Sequence, residues 1–408
     1  MKHLAKGLIF FGMGTGLFLF LQQKNVLTIS DIPKELAMTA ATSTQEIVIP
    51  KNRDIENQKP LANPPKVIKA LYATSWSASS EKKIKYFIDI IKSTEINALV
   101  IDIKDYSGII AYDIKDPKVD EYKAKEIRIP FINRLIKRLH DEGIYVIARV
   151  TVFQDPILAK ARPDLAVQSK ATGGVWLDNK KISWVDPTHK EVWDYIINIS
   201  KDAAARGFDE INFDYIRFPS DGKLADMQFS GWAGTTPRHT EIAKFFKYLR
   251  EQLPGTVISA DLFGLVTINK DDLGIGQLIE DAYQYFDYVS PMVYPSHYAS
   301  GFLGFKNPAQ YPYEVVKYSM EHARDRLIKM NELANATSTP PEEVRAPIGK
   351  LRPWLQDFDL GANYDVAEVQ KQIQAVGDAG LSDGFMLWNP SNIYTRRALA
   401  PEDIAAGL

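Results

Sequence analysis

Short apolar segments alternate with amphipathic stretches along most of this chain, and this alternation limits the folds that it can adopt. A short apolar run indicates a buried strand, whereas apolar residues that recur every three or four positions indicate a helix. The strand candidates are residues 70–75, 98–103, 144–151, 210–216, 257–263, 288–294, 345–350 and 384–389. The helical stretches are residues 81–93, 130–142, 190–206, 238–253, 313–335 and 366–379. Eight strands that mostly alternate with helices predict an α/β protein with a (β/α)8 TIM barrel.

A doubly wound open sheet is the alternative α/β architecture. Such folds usually carry a glycine-rich phosphate-binding loop after the first strand. Residues 74–79 hold that position here and read Thr-Ser-Trp-Ser-Ala-Ser. Because they contain no glycine, the barrel is favoured, and we predict that it spans residues 67–408 as one domain.

The parity of residues within the strands predicts where polar side chains collect. Successive strand residues point to opposite faces, so a barrel strand places apolar side chains towards the helices and its other residues towards the interior. Leu99, Ile101 and Ile103 share one face of the second strand, and the fourth and fifth strands alternate in the same way. The polar residues on the inward faces are Asp102, Lys104, Asn212, Asp214, Ser259 and Asp261. Barrel active sites lie at the C-terminal ends of the strands, where most of these residues are found.

The N-terminal region differs from the rest of the chain. Lys2 and Lys6 precede an apolar run at residues 7–21. A basic segment before an apolar run is typical of an export signal, and this run is shorter than the ~20 residues of a comfortable membrane span. We predict that residues 1–27 form a membrane anchor or a cleaved signal, the anchor being favoured, with a buried helix as the third alternative.

Residues 28–66 contain several prolines and show no lasting period, which is typical of a flexible linker. A strand at residues 47–49 is the alternative. Together the two segments predict a barrel outside the cytoplasm, in the cell envelope or secreted.

Composition excludes several classes of function. Lys and Arg number 49 against 51 Asp and Glu, and the net charge of −2 offers no positive field to hold nucleic acid. The chain has no cysteine, which excludes disulfides, thiolate catalysis and Cys-ligated zinc. Its six histidines show no spacing typical of a zinc site. We therefore expect no cofactor, no metal and no nucleic-acid partner.

Two carboxylates are the candidates for catalysis. Asp214 ends the fourth strand within the polar motif of residues 212–222, and Asp261 holds the matching place on the fifth strand. Such a pair suits glycoside hydrolysis, in which one carboxylate attacks the anomeric carbon or activates water while the other carboxyl protonates the leaving oxygen. The structural alternatives are an ion pair of Asp214 with Arg149 or Arg217, and a turn cap made by Asp261.

Aromatic side chains are abundant, at 19 Tyr, 19 Phe and 7 Trp, and several of them follow predicted strand ends. Sugar rings stack on such side chains, although core packing is the alternative for each one. The candidates for substrate binding are Asp102, Lys104, Arg149, Asn212, Arg217, Tyr294, His297, Trp354 and Trp388. We predict that Asp102, Arg149, Asp214, Asp261, Tyr294 and Trp388 converge on one pocket.

Five segments in a fixed order resemble a known family. They are Asp-Ile-Lys-Asp-Tyr-Ser-Gly (102–108), Ala-Arg-Val-Thr-Val-Phe-Gln-Asp (148–155), Asn-Phe-Asp-Tyr-Ile-Arg-Phe-Pro-Ser-Asp-Gly (212–222), Ser-Pro-Met-Val-Tyr-Pro-Ser-His-Tyr (290–298) and Arg-Pro-Trp-Leu-Gln-Asp-Phe (352–358). Across residues 67–392 the chain resembles the bacterial putative glycosyl hydrolase domain family, a domain of unknown function related to glycoside-hydrolase TIM barrels. The resemblance implies a TIM barrel and, by analogy with retaining glycosidases whose nucleophile ends the fourth strand, a nucleophilic Asp214.

A second resemblance concerns the mechanism. Asp-Glu-Ile-Asn-Phe-Asp-Tyr-Ile (209–216), Met-Val-Tyr (292–294) and Trp388 are similar to the corresponding parts of chitinase-type barrels. Those enzymes need a glutamate acid shortly after the aspartate pair, and Ile216 stands at that position here. We therefore reject the substrate-assisted chitinase mechanism.

These observations predict an envelope glycosidase that acts on a polysaccharide or cell-wall glycan. Asp214 is expected to be the nucleophile of a retaining hydrolysis, kept ionised by the positive charges of Arg149 and Arg217. Asp261 is expected to be the general acid and base, with its pKa raised by burial against Phe263 or Trp388. The alternative is a barrel without catalysis that binds glycan through the same aromatic cleft.

Overall fold

The computed structural model describes residues 53–336 and 348–401, and within them eight parallel strands form a barrel. The strands are β1 (Ile68–Ala73), β2 (Ala98–Lys104), β3 (Tyr145–Thr151), β4 (Glu210–Asp214), β5 (Val257–Phe263), β6 (Tyr288–Met292), β7 in two pieces (Lys350–Leu351 and Trp354–Gln356) and β8 (Gly384–Trp388). Strand β1 pairs with β2 and β8, and β7 pairs with β6 and β8, so the sheet closes into a ring. The predicted (β/α)8 barrel is confirmed.

A helix follows each of the first seven strands. These helices are α1 (Glu81–Ile91), α2 (Ile132–Asp141), α3 (Lys190–Ala205), α4 (Arg238–Gln252), α5 (Ile279–Tyr285), α6 (Pro312–Ala336) and α7 (Val366–Asp378). Shorter helices lie in the loops after β1, β2 and β3, at Ser75–Ala78, Pro117–Glu121 and Pro156–Ala161. Helix α5 was not predicted, because seven residues are too few to show a clear helical period.

Helix α1 shows why these segments are helical. The Ser80 side chain accepts a hydrogen bond from the Lys83 backbone N–H (3.4 Å) and so caps the first turn. Ile84, Phe87 and Ile91 recur at helical spacing and are buried on one face. Burying a side chain of this size contributes about 1.5–3 kcal/mol, so packing of the apolar face holds α1 on the barrel.

The alternation along the strands separates two apolar cores. Leu99 and Ile101 point outward and join Phe87 of α1 in the larger core between strands and helices. Val100 and Trp354 belong to the smaller core inside the barrel. The interior is therefore filled with side chains, and ligands must bind at an end of the barrel.

Two long loops extend from the C-terminal end of the barrel. Residues 152–189 follow β3 and residues 215–237 follow β4, and an antiparallel pairing of Gln168–Ser169 with Met227–Gln228 joins them. Trp176 in the first loop donates its indole N–H to a backbone carbonyl of the second (3.1 Å). The two loops thus form one structural unit beside the strand ends.

The seventh strand lies further along the chain than predicted. Residues 345–347 of the predicted strand lie outside the described residues, and β7 consists of Lys350–Leu351 and Trp354–Gln356. Pro353 has no N–H to donate and separates the two pieces. Among the described residues, the predicted strand overlaps β7 at Lys350 alone. The rest of β7 was missed because its inward positions carry polar and aromatic residues, which break the apolar pattern that marks a strand.

The predicted signal or anchor, residues 1–27, lies outside the described residues. In residues 53–336 and 348–401, no helix combines the length and the apolar character needed to cross a bilayer. The predicted linker, residues 28–66, is described from residue 53 onward.

The described part of the predicted linker, residues 53–66, contains no helix or strand but contacts the barrel. The Gln58 backbone N–H donates to the Arg206 carbonyl (3.1 Å), and the Leu61 N–H donates to Asp209 Oδ1 (2.6 Å). These residues are therefore attached to the N-terminal end of the barrel by hydrogen bonds.

Asp54 in the same segment caps α2, whose own N-cap residue makes no side-chain hydrogen bond. Its carboxylate accepts hydrogen bonds from the backbone N–H groups of Asn133 (2.9 Å) and Arg134 (3.1 Å). Asp54→Ala is expected to lower the free energy of unfolding by about 0.5–2 kcal/mol, measured by urea denaturation. Asp54→Asn should lose less, because the amide oxygen still accepts a hydrogen bond; an alanine variant as stable as wild type would contradict the capping role.

Candidate active site

The C-terminal ends of four strands bring three carboxylates to one guanidinium. Arg149 on β3 donates from Nη1 to Asp102 Oδ1 of β2 (2.5 Å) and from Nη2 to Asp214 of β4. Its Nε lies 3.7 Å from Oδ2 of Asp261 on β5. Four predicted site residues therefore meet, and they are called the Arg149 cluster below.

In the Arg149 cluster, burial and the neighbouring charges have opposite effects on the pKa values of Arg149 and Asp102. Burial lowers the pKa of Arg149, but the charges of Asp102 and Asp214 outweigh burial and hold this pKa well above its usual range. Burial raises the pKa of Asp102, opposed by Arg149 and by the Tyr72 hydroxyl, which donates to Asp102 Oδ2 (2.5 Å). One positive charge faces three acidic groups, which favours protonation of one of them.

Asp261 is the carboxyl of the cluster that lies on β5, and its pKa is raised. It is 1% exposed, and its burial and the nearby charge of Asp214 raise its pKa to about 8. Asn212 Nδ2 (2.8 Å) and Trp354 Nε1 (2.7 Å) both donate to its Oδ1. A carboxyl that stays protonated at neutral pH has the state that a general acid requires.

The raised pKa of Asp261 predicts that stability falls as the pH rises from about 4 to about 8. Its usual value is 3.8, so between these pH values the folded protein binds a proton that the unfolded chain releases. Each pH unit in this window should lower the free energy of unfolding by up to about 1.4 kcal/mol. Urea denaturation across this range should show a flatter profile for Asp261→Asn, and identical profiles for variant and wild type would refute the assignment.

Asp214 faces a cavity at the end of β4. The Tyr215 backbone N–H donates to Asp214 Oδ1 (2.6 Å), and Tyr215 has a φ of +54°, which few residues other than glycine adopt. The chain therefore turns sharply directly after Asp214. The other carboxylate oxygen is bound by Arg149.

The cavity beside Asp214 has a volume of about 520 Å³, within the range of small-molecule sites. It is called the site cavity below. Its lining residues are Lys180, Asp214, Tyr215, Arg217, Ser220, Asp221, Phe263, Gly264, Leu265, Met292, Tyr294, His297 and Tyr298. Loops after β3 and β4 supply one side, and residues that follow β5 and β6 supply the other.

Tyr294 connects the site cavity to a group of aromatic rings. Its ring centroid lies 5.3 Å from His297, 5.9 Å from Phe358 and 5.7 Å from Trp388. Trp388 stands edge-on to Phe358 (4.9 Å, 89°) and is half-buried. These four residues, the aromatic cluster, offer the flat apolar surfaces on which sugar rings stack.

Arg217 lines the site cavity but does not pair with Asp214. Its guanidinium carbon lies 4.8, 5.3 and 4.6 Å from the ring centroids of Trp184, Tyr215 and Phe263. Within the described ranges, Asp214 forms its ion pairs with Arg149 alone. Of the two arginines whose charges were expected to act on Asp214, Arg149 forms an ion pair with it, and Arg217 interacts with it electrostatically from a greater distance.

Residues 70–394 match the model of the family described as "putative glycosyl hydrolase domain", which covers well over half of the chain. The chain belongs to this family. No curated protein matches it significantly.

Several solved structures are similar to this glycosyl hydrolase family member. A hypothetical protein from Ruminiclostridium thermocellum is 41% identical over 50% of this chain and 98% of its own, with a TM-score of 0.44. The glycoside hydrolase domain of PgaB from Bordetella bronchiseptica is 16% identical over 82% of this chain and 99% of its own, with a TM-score of 0.54. An endo-1,4-beta-mannanase from Rhizomucor miehei is 12% identical over 85% of this chain and 94% of its own, with a TM-score of 0.52. The last two similarities support the fold.

Three buried residues predicted to bind substrate do not line the site cavity of this glycosyl hydrolase domain. Lys104 is fully buried and pairs with Asp155 (2.8 Å). Asn212 and Trp354 are also buried, and both donate to Asp261. In this structure all three instead contact other protein groups. Strand parity placed Asn212 on the inward face correctly, but the same expectation for Lys104 was wrong. A register shift between Asp102 and Lys104 pairs Lys104 with Val150, which faces the helices.

The structure also adds residues that the sequence reasoning missed. Tyr72 binds Asp102 and lies on the inward face of β1, so the parity of that strand could have found it. Gly264 lines the cavity directly after β5, and a Cβ there would lie 2.5 Å from the carbonyl oxygen of Met292. Glycine is therefore needed for β5 and β6 to approach each other at the site.

No set of three or more acidic or histidine side chains in residues 53–336 and 348–401 is arranged to hold a metal ion. The three carboxylates of the Arg149 cluster instead surround a guanidinium.

Proposed function

We propose that this protein hydrolyses glycosidic bonds of a polysaccharide outside the cytoplasm. The observation that carries the proposal is the position of Asp214, which is ion-paired with Arg149 and lines a cavity of about 520 Å³. The aromatic cluster adjoins this cavity and suits a sugar ring. Membership of a glycosyl hydrolase family supports the same conclusion.

The proposed reaction has two steps. Asp214 attacks the anomeric carbon while the bond to the leaving oxygen breaks, and that oxygen takes the proton of Asp261. The product is a glycosyl ester of Asp214, and one part of the glycan leaves. Water then attacks the anomeric carbon, transfers a proton to Asp261 and frees Asp214, so two inversions retain the configuration.

Arg149 supports both proposed roles. It binds one oxygen of Asp214, which leaves the other oxygen on the Tyr215 N–H and near the cavity. Its Nε lies 3.7 Å from Asp261 Oδ2 and orients that carboxyl without a close ion pair. A shared cation of this kind keeps two acids of different protonation state side by side.

One observation favours the alternative function, a glycan-binding barrel without catalysis. Asp261 is 1% exposed and does not line the site cavity. A general acid must come within about 2.6–3.2 Å of the atom that it protonates, directly or through one water. In the alternative, Asp214 and the aromatic cluster bind sugar and no bond is cleaved.

The proposed location rests on the sequence of residues 1–27. Lys2 and Lys6 before the apolar run are typical of an export signal or anchor, which would place the barrel beside envelope polysaccharides. Fractionation of cells that produce the full chain tests this: recovery of the protein in the soluble cytoplasmic fraction would refute it.

A panel of polysaccharides incubated with the full-length protein tests the function. We expect new reducing ends from at least one neutral or acidic glycan, and NMR of the first product should show the anomeric configuration of the substrate. Binding without any new reducing ends across the panel would support the non-catalytic alternative.

A further inference from the structure

Arg217 is a buried cation that lines the site cavity. It is 7% exposed, and burial lowers its pKa. Transfer of a charge out of water is unfavourable unless a partner compensates it. In the described part of the chain, no carboxylate lies within ion-pair distance of Arg217.

Other buried arginines of this protein have carboxylate partners. Arg149 binds Asp102 and Asp214, and Arg352 binds Glu210 inside the barrel. Arg217 instead lies against three aromatic rings, which hold the guanidinium plane in place and supply part of the missing compensation. Arg217 therefore differs from Arg149 and Arg352 in its surroundings, which are aromatic rings instead of carboxylates.

One edge of the Arg217 guanidinium makes no hydrogen bond to the described residues. Nη1 donates to the Phe218 carbonyl (3.1 Å) and to Ser220 Oγ (3.1 Å). Nε and Nη2 have no hydrogen-bond partner among the described residues, and neither belongs to the fully buried polar atoms that lack one. The Nε–Nη2 edge therefore reaches the surface of the site cavity, and this edge matches the two oxygens of a carboxylate.

We propose that Arg217 binds the carboxylate of an acidic sugar in the site cavity, so that the substrate is a glycan with carboxylate-bearing residues. This inference rests on the proposed function, because the acidic sugar would lie next to Asp214. Lys180 lines the same cavity and adds a second positive charge. A charge-assisted bidentate contact of this kind fixes the orientation of a ring as well as its charge.

A carboxylate fits this site better than a phosphate. Asp214 and Asp221 also line the cavity, so a dianion meets more repulsion there than a monoanion. The carboxylate can belong to a uronic acid or to a lactyl ether on an amino sugar, and the test separates these two sources.

Monosaccharides test the inference without turnover, because they contain no bond to hydrolyse. The matched pairs are D-glucuronate with D-glucose, D-galacturonate with D-galactose, and N-acetylmuramate with N-acetylglucosamine, titrated into the full-length protein by NMR. At least one acidic sugar should bind about 10-fold more tightly than its neutral partner, the effect of one charge-assisted contact. Added salt should reduce this preference, and titration of the wild-type protein alone is enough to measure that effect.

Variants assign the preference to Arg217. Arg217→Met should abolish it, and Arg217→Lys should retain part of it, because lysine keeps the charge but not the planar edge. Arg238→Met is the matched control, since Arg238 also packs on aromatic rings, Phe218 and Trp232, but does not line the site cavity. Equal affinity within every pair, a preference that survives Arg217→Met, or no binding of any acidic sugar would overturn the inference. Hydrolysis of neutral glycans alone would overturn the inference and leave the proposed function intact.

Discussion

Replacing Asp214 by asparagine is expected to lower the turnover number about 10²–10⁴-fold or more on any glycan that the protein hydrolyses. The amide is not a nucleophile, and it removes the charge that pairs with Arg149. The substitution preserves shape, so substrate affinity should change far less than turnover. Turnover measured from reducing ends, with affinity from titration of a bound glycan, separates the two effects.

The matched control for this experiment is Asp89→Asn. Asp89 lies on α1, on the outside of the barrel, and pairs there with Arg396 (2.5 Å). The same chemical change at that place should leave turnover at the wild-type value. If Asp214→Asn and Asp261→Asn both kept full turnover, the catalytic pair would be wrong. If the wild type released no new reducing ends from any glycan while Trp388→Ala abolished glycan binding, the alternative function, a glycan-binding barrel without catalysis, would be supported.

Replacing Arg149 by methionine is expected to lower the free energy of unfolding by about 3–5 kcal/mol, the usual effect of leaving buried charges without a partner. Asp102, Asp214 and Asp261 would then share a buried site without their cation. The pKa values of such carboxyls rise, so the lost stability should return as the pH falls and the groups take up protons. Urea denaturation at neutral and at acidic pH measures both effects.

Two further variants make this prediction specific. Arg149→Lys keeps the charge but not the three-way contact, so its loss of stability should be smaller. Adding Asp102→Asn to Arg149→Met should recover part of the loss, because one uncompensated carboxylate is gone. A methionine variant as stable as wild type at neutral pH would show that the cluster does not depend on this cation.

Parity within the strands explains how much of the site the sequence could predict. Asp102, Asn212, Asp214 and Asp261 were placed on inward faces from the two-residue period alone, and the structure has them there. The two-residue period predicts the inward residues because each strand packs one face against helices, and polar residues are excluded from that face. Helix positions followed in the same way from apolar residues at helical spacing, as in α1.

Strand parity could not predict which inward residues reach substrate. Asn212 and Trp354 lie inside the barrel as Asp214 does, yet both donate to Asp261 and neither lines the site cavity. Depth along the barrel axis depends on the stagger between strands, which is set by closure of the ring. No local pattern records that stagger.

The sequence by itself determined the barrel, six of the seven helices α1–α7 around it and the end at which polar residues collect, because these follow from periods within single segments. Only the tertiary structure decided that Arg149 joins carboxylates from three other strands, that Trp354 meets Asp261 and that Arg217 lies among aromatic rings. Such contacts join residues far apart in the chain, and their distances depend on closure of the whole ring. The strength of an electrostatic interaction depends on the distance between the charged groups in space, so the chemistry of the site is a property of the folded barrel.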